Sequence, residues 1–190
     1  MIMNVVRQLL TPARYLRIRS ETSDKFVIDF VFPAVCALVT TGCWAWRPDL
    51  LSMRGPTGVL SGVSGLMQIL VGFYVATLAA VATFPTSSLD ENTNRIWLGM
   101  KGGKKVPLKR RRFLAYLFGY LAMLSLALVI ALLFRPVAEG ALLHLKVASV
   151  VYYVKLALVF IYQFIFWQMV FITLLGLYYL TDRIHRSNNE

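Results

Sequence analysis

Four long apolar runs separated by short polar segments constrain this chain more than any other feature. They lie at about 26–46, 58–84, 113–134 and 147–180 of 190 residues. A hydrocarbon core about 30 Å thick is crossed by roughly 20 apolar residues in a helix rising about 1.5 Å per residue, and every run reaches that length. Composition points the same way: 58% of residues are hydrophobic and 15% charged, where soluble domains carry about 25% charge. The short alternating segments of a transmembrane barrel are absent from the runs. The chain is therefore expected to be an all-α membrane protein with four transmembrane helices, over 26–46, 58–84, 113–134 and 156–180. Residues 26–180 make one membrane domain, and the remainder is too short for a separate soluble domain of roughly 100 residues.

The runs end on interfacial aromatics, cations and prolines, the usual stops at a membrane surface. Trp44, Trp46, Arg47 and Pro48 close the first, Pro85 the second, and Arg135 with Pro136 the third. The last run as one helix would be about 51 Å long, more than a bilayer accepts. Its part before Leu156, with Tyr152, Tyr153 and Lys155, is expected to project. No apolar stretch of signal-peptide length precedes the first run, so that span is expected to target the chain.

Lysine and arginine divide unevenly between the two sides. Residues 1–25 carry Arg7, Arg14, Arg17, Arg19 and Lys25, and the 181–190 tail carries Arg183 and Arg186. The 85–112 loop carries Arg95, Lys101, Lys104, Lys105, Lys109, Arg110, Arg111 and Arg112. Against these stand Arg47, Arg54, Arg135, Lys146 and Lys155. Positive segments resist translocation, so both termini and the 85–112 loop are expected in the cytoplasm. Residues 1–25 read as a basic interfacial segment, broken by Pro12, that lies on an anionic leaflet or docks a protein. Ser87 or Ser88 before Asp90 and Glu91 suggests a helix start. Trp97, with Leu98 and Met100, offers an apolar anchor for a partner or for the membrane surface. The run Lys109 to Arg112 beside the third span suits lipid headgroups.

Within the second span, Gly58, Gly62, Gly65, Ile69, Gly72, Ala76, Ala79 and Thr83 follow at alternating steps of four and three, which leaves one helix face nearly bare. Small residues let helices approach closely in lipid, so the stripe is a packing face, either for another span or for its copy in a neighbouring chain. The second alternative makes a homo-oligomer. Ser61, Ser64, Gln68 and Thr77 would line a pore if such helices formed a ring.

Asp29 is the one acid inside an apolar run, four residues after Lys25, a spacing that suggests a snorkelling pair at the interface that tolerates Asp29→Asn. Gln163 and Gln168 in the last span are expected to form interhelical hydrogen bonds, and their spacing puts them on different faces. Cys36 and Cys43 lie about 10 Å apart on one helix, beyond disulfide reach.

No catalytic motif, cofactor-binding loop or metal-ligand spacing is present, and His144 and His185 fall on opposite sides under this topology. Neither enzyme activity, metal nor cofactor is expected, and a nucleic-acid interface would need a larger folded basic surface. The partners expected are membrane lipids, further copies of the chain and a cytoplasmic protein. The chain length, the four spans and the basic segments on one side together resemble the membrane subunit of the Kiwa anti-phage system. That resemblance implies a bacterial inner-membrane sensor that detects phage attachment and signals to an inner, DNA-binding effector.

Overall fold

A computed structural model describes residues 8, 10–20, 24–47, 59–83, 87–99, 105–143 and 148–183. Gly58, Lys104, His144 and His185 lie outside them. Among the described residues, four helices are long and apolar enough to cross a membrane: Asp24–Trp46, Gly62–Thr83, Arg110–Leu133 and Ser149–Thr181. The chain is thus a helical, multi-pass membrane protein of the expected class. The third span starts at Arg110, three residues before its first apolar residue, so Arg110, Arg111 and Arg112 belong to its first turn. The fourth is continuous over Ala148–Tyr178, so the part expected to project belongs to the same helix, and Tyr152 and Tyr153 on it are exposed.

The third span is the centre of the packing. Of its most apolar stretch, 44% is buried inside the protein, against 22% for the first span and 17% for the second and fourth. It packs against the second span, the fourth span and an N-terminal 3-10 turn, Pro12–Arg17, while the first span packs on the fourth. The spans therefore run second, third, fourth, first across the bundle. The Tyr74 hydroxyl meets Thr173 Oγ1 at 2.6 Å and ties the second span to the fourth. At Gly176 the fourth span packs closely on the third: a Cβ there would sit 2.9 Å from Leu117 Cδ2 and 3.2 Å from Phe118 Cζ. Small residues at such crossings maximise dispersion contact, which drives helix association where lipid removes the hydrophobic term.

The first, second and third spans each have one end at a small structure outside the bundle. The 85–112 segment, expected as a loop, forms a short helix Ser87–Asp90 and strands β2 (Asn92–Gly99) and β3 (Lys105–Lys109). Strand β1 (Ile18–Ser20) joins them from the N-terminal segment, in antiparallel order β1-β2-β3. Ile18 pairs with Leu98 and Ser20 with Ile96; Trp97 pairs with Pro107. Residues 12–20 are therefore folded onto the rest of the chain as a 3-10 turn and a strand. Pro12 begins the turn at a position where its missing N–H costs no hydrogen bond, and Tyr15 and Ile18 are buried against protein.

Arg111 fastens this structure to the spans. Its Nη1 donates to the Val81 and Ala82 carbonyls at the end of the second span (3.1 and 3.3 Å), and Nε and Nη2 hold the two Asp90 carboxylate oxygens (3.3 and 3.4 Å). Terminal helix carbonyls lack intrahelical donors, and a guanidinium satisfies two at once. Arg110 pairs with Glu91 at 3.5 Å. These two arginines, expected to face lipid or a partner, are engaged within the chain.

Candidate functional site

Asp29 forms the centre of a buried polar cluster, and the cause begins four residues later. Pro33 has no N–H, so the α-helical hydrogen bond to the Asp29 carbonyl cannot form. The helix adjusts with a π-turn over Val27–Val31, in which the Phe32 N–H reaches back to the Val27 carbonyl. Such turns accumulate at functional sites because they expose main-chain groups and re-aim side chains. Gln168 of the fourth span takes up the exposed group: its Nε2 donates to the Asp29 carbonyl at 2.9 Å. Its Oε1 accepts from the Tyr120 hydroxyl of the third span at 3.1 Å.

The Asp29 carboxylate accepts from the Tyr15 hydroxyl at 2.9 Å through Oδ1 and pairs with Lys25 Nζ through Oδ2. The Lys25 ammonium sits 4.1 Å from the centre of the Tyr15 ring, and Tyr15 stacks on Tyr120 with centroids 5.2 Å apart. Asp29 is 1% exposed and Tyr15 fully buried. The pair is therefore largely buried within protein and is not the snorkelling interfacial pair expected: Tyr15 packs against both of its members. Burial, then the neighbouring Asp29 charge, push the Tyr15 phenol well above its usual range, so it remains a hydrogen-bond donor at any physiological pH.

A charge inside a membrane domain is costly unless paired, and marks function by default. Here every donor and acceptor named has a partner. The closed cycle joins the N-terminal turn, the first, third and fourth spans. A buried ion pair adds little net stability over apolar residues of the same size, yet removing either partner is expensive, so its effect is to specify one arrangement. Displacement of the N-terminal turn or of the first span would strand several buried polar groups together. The arrangement holds a position and contains no nucleophile poised against a base. Among the described residues no group of His, Cys, Asp or Glu is placed to hold a metal ion.

Of the residues singled out from sequence, the fold brings Asp29 and Gln168 together, whereas Gln163 is half-buried on the fourth span, away from the cluster. Tyr15 and Tyr120 carry no sequence signal of their role. Pro33, four residues after Asp29, did carry one for the free carbonyl. In the second span, Met67, Tyr74 and Val81 are buried against the third, and Gly62, Gly65, Gly72, Ala76 and Ala79 are exposed on the opposite face. A Cβ at Gly62, Gly65 or Gly72 would meet nothing within 4 Å, so none of the described residues packs closely on the stripe. Gln68 is exposed beside it. Arg17, Arg19, Lys109 and Arg112 are exposed, Arg14 and Trp97 are half-buried, and Lys105 lies in β3. Cys36 is half-buried and Cys43 exposed, both as free thiols. Comparison with known protein families, known proteins and solved structures finds no match.

Proposed function

We propose that this protein is a non-enzymatic membrane anchor and sensor that self-assembles and presents a cytoplasmic platform to a protein partner. The observation that carries this reading is the Asp29 cluster. Through it the N-terminal turn that feeds β1 is locked to three spans, so a shift among spans must be felt by the sheet. The platform has the chemistry of a docking surface: exposed Arg17, Arg19 and Lys109, and strand edges at β1 and β3 suited to pairing with an added strand. The exposed glycine stripe supports self-assembly, because close backbone approach is what associates helices in lipid. Gln68 beside it is self-complementary, since an amide both donates and accepts, as a symmetric interface requires. Placed in a bacterial inner membrane with the platform inside, the same parts fit a sensor of envelope events in anti-phage defence.

Affinity purification in mild detergent tests this reading. A complex with a stoichiometric soluble protein and more than one copy of the chain supports it; a lone monomer refutes it. The competing reading, a homo-oligomeric channel or permeabilising toxin, draws on Gln68 as a lining residue. Conductance from the pure protein in planar bilayers would favour that reading, and silence favours the anchor.

A further inference from the structure

We infer that Arg14, Arg112 and the Tyr116 hydroxyl form a binding site for the phosphate of an anionic membrane phospholipid. Arg112 Nε donates to the Tyr116 hydroxyl at 3.3 Å, with its guanidinium 5.7 Å from the ring centre. Arg14, from the N-terminal turn, lies close enough to the same hydroxyl to interact with it. Two cations thus converge on one neutral oxygen. Like charges held together are unfavourable unless an anion joins them.

No carboxylate among the described side chains fills that role. Asp29 is taken by Lys25, Asp90 by Arg111, Glu91 by Arg110 and Glu139 by Arg135. Asp24 is exposed at the start of the first span, and Asp182 lies in the π-turn Tyr179–Arg183 that ends the fourth. The guanidinium forks retain N–H donors beyond those spent on the phenol, and the phenol proton is free to be donated while its oxygen accepts. Forked donors around a small centre match a phosphate.

The source of the phosphate follows from position. Arg112 directly precedes Phe113, the first apolar residue of the third span, which puts its side chain at headgroup level. Leu10 and Leu16 of the N-terminal segment are exposed within a few residues of Arg14 and offer apolar surface to acyl chains. A soluble phosphate would make no use of them. The inference stands apart from the self-assembly and partner-docking reading.

The test uses the delipidated full chain in detergent, with melting temperature followed as phosphatidylglycerol, phosphatidylcholine or inorganic phosphate is added. The site predicts an upward shift of several degrees with phosphatidylglycerol only, lost in R14Q/R112Q and kept in R47Q, which removes an exposed charge from the other end of the first span. R112K, which keeps the charge and loses the fork, should reduce the shift; as an exposed single change, it remains informative if the double variant folds poorly. Native mass spectrometry should show the wild-type chain retaining a phosphatidylglycerol that R112K retains less. An equal shift in R112K and R14Q/R112Q as in wild type, or equal shifts with phosphatidylcholine, overturns the site. An equal shift with inorganic phosphate overturns the lipid as its ligand.

Discussion

Replacing Asp29 by leucine removes one partner of a charge pair whose other member, the Lys25 side chain, is 14% exposed. The stranded ammonium costs about 3–5 kcal/mol, and the Tyr15 hydroxyl, left without its acceptor, costs about 1 kcal/mol more. A loss of about 4–6 kcal/mol shifts the folding equilibrium by roughly a thousandfold to ten-thousandfold, since about 1.4 kcal/mol is a factor of ten. Lys25→Met alone should cost a similar amount by leaving the carboxylate with Tyr15 as its one side-chain donor. The double change Lys25→Met with Asp29→Leu removes both charges and should come within about 1–2 kcal/mol of the wild type, because apolar replacement of a whole buried pair is close to neutral. Unfolding by titration with sodium dodecyl sulfate in mixed micelles, read by tryptophan fluorescence, measures all four proteins. The reasoning fails if either single variant lies within about 1 kcal/mol of wild type, or if the double variant loses the sum of the singles, since contacting charges must be non-additive.

Gln168→Leu frees the Asp29 carbonyl and the Tyr120 hydroxyl and should cost about 1–2 kcal/mol in the same titration, near the upper end for interhelical hydrogen bonds. Gly176→Leu drives a side chain into Leu117 and Phe118 and should prevent a monodisperse chain, whereas Gly65→Leu or Gly72→Leu should leave the monomer folded and reduce complex size on size-exclusion chromatography. Arg111→Gln removes the clamp on Val81, Ala82 and Asp90 and should speed proteolysis within 87–99 several-fold, leaving the melting temperature within a few degrees.

The spans were legible in the sequence because lipid imposes a length and composition rule that local residues meet alone. The rule has less to say about which faces meet. The alternating steps of Gly62, Gly65, Gly72, Ala76 and Ala79 located a bare face, but whether it points inward depends on Met67, Tyr74 and Val81 finding room against the third span. Asp29 and Lys25 paired as their spacing requires. Their depth depended on Tyr15, which joins them only because the N-terminal segment folds back against the third span. The sheet was not legible: β1 has three residues and pairs with a strand more than 70 positions away, and so short a segment gives no periodic signal. Gln168 was readable as a buried amide seeking a partner, and Pro33 marked where an acceptor would be free, though nothing local linked the two.

Docking of the N-terminal turn against the third span is what couples sheet to bundle, and a disulfide measures it directly. Pro12 Cβ lies 3.7 Å from where a Cβ at Gly119 would stand, close to the roughly 3.8 Å of native disulfides. In a chain with Cys36 and Cys43 changed to alanine, the pair Pro12→Cys with Gly119→Cys should oxidise readily in native membranes. Both thiols should then be protected from a bulky maleimide until reduced. If both remain open to the maleimide after oxidation, the turn is not docked and the coupling between the platform and the spans does not exist.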